Sequence, residues 1–218
     1  MALDIEWLGS VPYRAALKLQ EQALEARRAG ASDRLLLLEH PPVVTLGRSA
    51  RAENLRVSPA ELQQRGIDLV EVARGGDVTY HGPGQLVGYL IVDLSAGGRP
   101  DVVAHLRSIE TALGEAVRAL GVPARTREGT TGVFVDDPAA SQPRKVASIG
   151  VGVRGWVSWH GFALNVDLDL TGFDVIVPCG LHDVEMTSLA RELGETASPG
   201  LAERTRERVA QRFAARWG

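Results

Sequence analysis

Arg74-Gly75-Gly76-Asp77-Val78-Thr79-Tyr80-His81-Gly82-Pro83-Gly84-Gln85 lies between two apolar runs that read as strands, Ile67 to Val72 before it and Leu86 to Leu94 after it. Four glycines and a proline fall within these twelve residues. Glycine serves where the backbone takes a positive φ or passes close to another group. A hairpin connection needs only about two to five residues. A loop of this length carrying Arg74, Asp77, Thr79, Tyr80 and His81 is therefore read as one wall of a ligand site.

Working outward, residues 12 to 29 read as a helix with Leu17 and Leu24 inward and Gly30 as its stop. Arg34 to Glu39 is a continuous apolar run that suits a strand covered on both faces. His40-Pro41-Pro42 interrupts it, and Val43 to Leu46 resumes as strand. Ser58-Pro59-Ala60-Glu61 has capping-box spacing and opens a short helix closed by Gly66. Val103, Leu106, Ile109, Leu113, Val117 and Leu120 recur at helical period across residues 100 to 120. Gly132 to Val135 reads as a strand and Asp136 to Pro143 as an exposed loop. Val146 to Val153 and Trp156 to Leu168 read as paired strands across a turn at Arg154-Gly155, and Phe173 to Val177 as a further strand stopped by Pro178. Two helices follow, near 187 to 193 and 199 to 216. Strands interleave with helices but also run in succession, which predicts an α/β fold, a mixed β-sheet with flanking helices, in a single domain over 1–218.

The composition is that of an ordinary globular chain, 44% hydrophobic and 23% charged. A net charge of −3 argues against nucleic acid as the main partner. No apolar stretch approaches the roughly 18 residues of a membrane span, and the start has no signal-peptide layout. One cysteine excludes an internal disulfide and makes the cytoplasm the default compartment.

Of 24 basic residues only Lys18 and Lys145 are lysine. An arginine-biased genome accounts for the surface, and Lys18 reads as a solvated helix residue. Lys145, beside an apolar strand, is a candidate for what arginine cannot do, which is to give up its proton. Cys179 stands in Pro178-Cys179-Gly180-Leu181, where proline fixes the approach and glycine leaves room at the sulfur. A lone cysteine is commonly a buried small hydrophobe; as a nucleophile it needs a neighbouring cation to lower its pKa. Lys145 is one choice, and a histidine (His182, or His40, His81, His105 or His160) is the other. No Cys or His pair stands at metal-ligand spacing, and neither a nucleophile elbow nor a Walker motif is present.

Arg74 to Gln85, Arg144-Lys145-Val146-Ala147-Ser148-Ile149-Gly150, His160-Gly161-Phe162-Ala163-Leu164-Asn165-Val166 and Pro178 to Leu181 together resemble the successive motifs of the octanoyltransferases, the lipoyl(octanoyl) transferases of lipoate biosynthesis. Glu39 to Gly47 fits as well, so the likeness spans roughly residues 35 to 190. It implies the α/β catalytic domain shared with lipoate- and biotin-protein ligases. It implies transfer of an octanoyl group from acyl carrier protein, through a thioester on Cys179, to a lysine of an acceptor lipoyl domain. The implied acceptors are the lipoyl domains of 2-oxoacid dehydrogenase complexes and the glycine cleavage H protein. Cys179 matches the nucleophile and Lys145 the group that lowers its pKa. The acyl site carries over to Arg74, Gly75, Gly76, Asp77, Val78, Thr79, Tyr80 and His81, to Ser148, Ile149 and Gly150, and to Gly161, Phe162 and Ala163. No cofactor and no metal is implied, and a monomer is expected. Phe162 and Phe134 depart from the leucine and tryptophan usual in these motifs, which bears on the shape of the pocket.

A saturated chain has nothing to hydrogen-bond, so an apolar tunnel must recognise it, contributing on the order of 5 kcal/mol before ordering costs. Val146, Ile149 and Phe162 are of the right kind to line it. Arg48, Arg51, Arg144 and Arg154 are candidate contacts for an acidic carrier protein. Two other readings share these features: an ATP-dependent ligase of the same fold, and a non-catalytic acyl-carrier-docking protein.

Overall fold

The computed structural model of the chain describes residues 3–96, 98, 100–138, 140–178, 183–194 and 199–218. In chain order the elements are β1 (Asp4–Ser10), α1 (Tyr13–Arg28), β2 (Arg34–Glu39), β3 (Val43–Leu46), α2 (Pro59–Gln64), β4 (Asp68–Glu71), β5 (Val78–His81), β6 (Gln85–Ile91), α3 (Val102–Ala119), β7 (Ala124–Arg125), β8 (Val133–Val135), β9 (Arg144–Arg154), β10 (Val157–Asn165), β11 (Glu185–Met186), α4 (Leu189–Leu193) and α5 (Pro199–Trp217). The large sheet runs β1-β2-β6-β10-β9-β8-β7, with β11 beside β9. It is mixed, because β1 pairs parallel to β2, and β11 to β9, while the other neighbours are antiparallel. A second sheet, β4-β3-β5, packs apart from it. The α/β class with a mixed sheet and flanking helices is thus the observed one.

The fully apolar β2 explains the layering. Leu35 and Leu37 face one core with α3 and α5, built on Ile109, Leu113, Val117, Val209 and Phe213. Leu36 and Leu38 face the other, under Ala16, Ala23 and Leu24 of α1. A third cluster lies under the small sheet, where Val44, Leu62, Val78, Tyr80 and Phe173 meet. Ser58 caps α2 as its sequence predicts, accepting from the Glu61 N–H at 3.2 Å.

Several expectations are corrected. Residues 74–85 are not one loop: Val78–His81 forms β5, paired with β3 from Val43↔His81 to Leu46↔Val78. Its alternation sends Val78 and Tyr80 into the third core and leaves Thr79 and His81 on the other face. Leu170–Val175 is a 3-10 helix where the sequence suggested a strand over 173–177, because Asp169 accepts from both the N–H and the hydroxyl of Thr171. Val103, placed inward by periodicity, is 63% exposed in the first turn of α3, before the helix meets the core. Strand β1 carries no alternating pattern and was not anticipated; as an edge strand it is held by backbone pairing to β2. The β9–β10 hairpin turns on Gly155 and Trp156, both left-handed (φ 57° and 62°), as a two-residue turn requires.

Candidate active site

A cavity of about 250 Å³ crosses the strands of the large sheet. Val87 and Tyr89 of β6 lie at one end, then His160 to Ala163 of β10, then Ser148 to Gly150 of β9. Lys145 and the loop residues Gly129 to Thr131, next to β8, lie at the other. The small sheet contributes Thr79 and His81, the loop before β5 contributes Arg74, Gly76 and Asp77, and α1 contributes Tyr13.

Lys145 is 2% exposed, which places a lysine inside the protein wall rather than on its surface. Its ammonium lies 5.5 Å from the Phe134 ring. Its stem passes Gly132, where an added Cβ would come within 2.5 Å of Cε. The Gly132 N–H is fixed in turn by the fully buried carboxylate of Glu110, at 2.9 Å.

The loop at Arg74 closes over β9 through backbone contacts. Gly75 N–H donates to the Val151 carbonyl at 2.8 Å. A Cβ on Gly150 would approach the Gly75 carbonyl to 2.9 Å, so glycine at 150 is what lets the two chains meet. Arg74 donates to the Thr45 carbonyl and hydroxyl at 3.0 and 2.8 Å. Asp77 accepts from Asn54 and from the Arg51 and Val78 N–H groups, which pins the loop before β5.

At the β6 end the histidines and tyrosines are neutral, and the Arg74 guanidinium is the charged group beside them. Burial pushes His40 down to about 4 against an opposing bond to the Val11 carbonyl. Burial, then the nearby Arg74 and Arg48, lowers His160 to about 3. Burial and the neighbouring His40 hold His81 well below the usual imidazole value, opposed by its bond to Gln85. Burial lifts Tyr13 to about 12. His160 also has a φ of 58° inside a strand, a left-handed conformation costing about 1–3 kcal/mol for such a residue. Its N–H donates to Gln20 Oε1 at 3.0 Å, and its ring packs 4.2 Å from Trp159.

Residues 183–194 are seated against β9. Glu185 N–H donates to the Pro143 carbonyl and Thr187 N–H to that of Lys145, seating β11 beside β9. Arg144 clasps Glu192 through two bonds of 2.8 and 2.9 Å and also reaches Asp137. Burial alone would raise the Glu192 pKa, but the bonds from Arg144 and Thr187 bring it below the ordinary value. Arg144 is therefore committed to this clasp, and Arg154 lies over the Trp159 ring; Arg51 pairs with Glu53.

Of the sequence-derived candidates, Lys145, Arg74, Gly76, Asp77, Thr79, His81, Ser148, Ile149, Gly150, Gly161, Phe162 and Ala163 come together around this cavity. Gly75 lies just behind it, Val78 and Tyr80 belong to the third core, and Val146 belongs to the first. Cys179, Gly180, Leu181 and His182 lie outside the described residues. Tyr13, Val87, Tyr89, Gly129, Thr130, Thr131 and His160 line the cavity without having been assigned to it. The glycine-flanked Gly129-Thr130-Thr131-Gly132 was a usable signal; the tyrosines, set in helix and strand patterns, gave none. Among the described residues no group of three or more His, Cys, Asp or Glu is placed to hold a metal ion. None of their helices is long and apolar enough to cross a membrane. The arrangement offers buried Lys145 at one end, the apolar Ile149 and Phe162 between, and neutral histidines and tyrosines beside the Arg74 guanidinium at the other. That suits an extended acyl chain with a reactive carbonyl at Lys145.

Residues 12–214 match the family described as the lipoyl protein ligase A/B catalytic domain. An octanoyltransferase of Chloroflexus aurantiacus is 46% identical over 211 residues, covering 96% of this chain and 92% of that protein. One from Mycobacterium leprae is 44% identical, covering 90% and 81%. The chain belongs to the octanoyltransferase family within that catalytic-domain class, and so among the acyl-group transferases. The fold is shared with a lipoate protein ligase of T. acidophilum solved with bound lipoic acid (TM-score 0.75, 19% identity, 99% of this chain and 86% of that one). It is also shared, less closely, with the biotin protein ligase of Aquifex aeolicus (TM-score 0.53, 13% identity, 96% and 70%).

Proposed function

We propose that the chain moves an octanoyl group from octanoyl-acyl carrier protein to a lysine of a lipoyl domain, by way of a thioester on Cys179. The observation that carries the reading is Lys145, buried in the wall of an acyl-sized cavity, its carbonyl accepting from the N–H of Thr187, directly after β11. The Cys179 thiol gives its proton to the Lys145 amine, and the thiolate attacks the carrier thioester. The tetrahedral intermediate collapses with loss of the carrier thiolate, which takes the proton back. An acceptor lysine amine then attacks the acyl-enzyme, Lys145 receives its proton, and the Cys179 sulfur leaves. Thioester to thioester to amide runs downhill, so neither ATP nor metal enters.

The acyl chain extends from Lys145 along Ser148, Ile149 and Gly150 and Gly161, Phe162 and Ala163, with Arg74, Gly76, Asp77, Thr79 and His81 closing over it. Gly75, Val78 and Tyr80 act behind this surface, as supports. The acceptors are the lipoyl domains of 2-oxoacid dehydrogenase complexes and the glycine cleavage H protein, and the enzyme works in the cytoplasm as a monomer. The test is to incubate the protein with octanoyl-acyl carrier protein and a lipoyl domain without ATP. An octanoyl increment on the acceptor lysine supports the reading. Modification that requires ATP and free octanoate overturns it in favour of a ligase.

A further inference from the structure

We propose that Glu110, a fully buried carboxylate on α3 that the transfer steps leave unused, is the positioning residue for Lys145. It holds the Gly132 backbone against the lysine stem, and with it the cavity edge from Gly129 to Thr131. The inference rests on Lys145 as the working cation of the proposed transfer and adds the group that places it.

Glu110 stands three and seven residues before Leu113 and Val117, in the stripe of α3 that faces the first core. Apolar residues of similar volume commonly replace a buried ion pair without loss of stability, so filling this face does not explain a carboxylate here. A buried charge is tolerated when its oxygens are engaged, and both are. Oε1 accepts from the Gly132 N–H at 2.9 Å, and Oε2 accepts from Arg107 at 2.5 Å. Arg107, one turn back on the same helix, is half exposed and balances the charge from the solvent side. What the carboxylate supplies to the interior is the bond to Gly132.

That bond falls where the sheet gives Gly132 no hold. The β8 ladder to β9 begins one residue later, at Val133↔Ala147, and its register slips before Phe134↔Lys145. Gly132 is itself buried, so without Glu110 its N–H would be desolvated with no acceptor. Its backbone is also the surface on which the lysine rests: a Cβ there would lie 2.5 Å from Lys145 Cε and 3.2 Å from Nζ. On the other side of the cavity edge, Thr130 N–H turns back to the Arg127 carbonyl at 3.4 Å. Gly129, Thr130 and Thr131 are therefore spanned between that turn and the Glu110 anchor. Glu110 acts through the place of its Oε1 rather than through its charge, which Arg107 offsets.

The experiment is single-turnover acylation of wild type and three variants by octanoyl-acyl carrier protein over a range of carrier concentrations, read by intact mass. Amplitude reports the folded fraction, the saturating rate constant the geometry at Lys145, and the half-saturating concentration carrier binding. Glu110→Gln keeps an acceptor at full reach and gives up the charge, with Arg107 free to turn to solvent. Glu110→Asp keeps the charge but is one methylene too short. Glu110→Met fills the volume with no acceptor and gives the same reading should the aspartate variant not fold. The aspartate and methionine variants should lose at least about tenfold in the saturating rate constant with half-saturation within about threefold, and the glutamine variant should stay within about threefold in both. A glutamine variant as slow as the aspartate one overturns the proposal, as do rate constants unmoved in all three or losses confined to amplitude. Absence of any octanoyl adduct on the wild-type protein removes the transfer reading itself, before any variant is compared.

Discussion

Replacing Gly132 by alanine should disarm Lys145 while leaving the protein folded. The added Cβ would lie 2.5 Å from Lys145 Cε and 2.6 Å from the Ala147 carbonyl. The flexible lysine stem can give way, but the carbonyl is β9 backbone, so the strand carrying residue 132 must shift as well. Restoring an ordinary carbon contact of about 3.5 Å moves Cε by about 1 Å, a displacement that can cost on the order of a hundredfold in a positioned reaction. Gly132 also has a φ of 134°, which adds backbone strain of about 1–3 kcal/mol and a melting-temperature loss of about 2–12 °C for a chain of this size. Gly66→Ala separates the two effects: its φ is 69° but nothing lies within 4 Å of the new Cβ. The assay is the rate of acyl-enzyme formation from octanoyl-acyl carrier protein, with a thermal melt of each variant. Gly132→Ala should melt below Gly66→Ala because of the added backbone contact; a Gly132→Ala protein that stays folded but acylates within about threefold of wild type would refute the placement of Lys145 as the working cation.

Lys145→Arg retains a cation but no usable base, so transfer to the acceptor amine should fall further than formation of the acyl-enzyme; equal rates in both half reactions would reduce Lys145 to an electrostatic neighbour. Denaturation curves should show stability falling between about pH 6.5 and 4, because the unfolded chain gains protons on His40 that the folded chain refuses. The folded value near 4 makes the His40 part alone about 3 kcal/mol, with His81 and His160 adding in the same direction, all regained above pH 6.5, and a flat profile would contradict the neutral cluster. The Glu192 clasp works at lower pH: its folded pKa is depressed, so its contribution is present above the ordinary carboxylate range and is lost as pH falls through the folded value. Glu192→Gln should be less stable than wild type at neutral pH and should lose less on acidification, as differential denaturation would show.

How much of this was legible depended on whether a residue's role is local. The apolar β2, the Ser58 cap and the long helix α3 follow from pattern and capping chemistry, and each stands where its sequence puts it. Strand β5 was hidden because Gly75, Gly76, Gly82 and Gly84 flank four residues whose alternation is too short to register as a strand. Phe173 to Val177 is apolar enough for a strand, yet one Asp169 side chain turns the backbone into a 3-10 helix. Lys145 could be singled out because lysine is rare in this chain, but its burial against Gly132 and Phe134 is a tertiary fact. His160, quoted within a motif, gave no sign of its left-handed backbone, which depends on Gln20 from a helix 140 residues away in sequence. Tyr13 and Tyr89 reach the cavity only because α1 crosses the sheet above β6.

The central claim concerns a thiolate at position 179 working beside the buried ammonium of Lys145, and intact mass spectrometry with peptide mapping tests it most directly. After brief mixing with octanoyl-acyl carrier protein, wild-type protein should carry a single octanoyl group on the Cys179 peptide, labile to hydroxylamine, and Cys179→Ala should carry none. An octanoyl group that persists in Cys179→Ala, or maps to any other residue, would contradict the account.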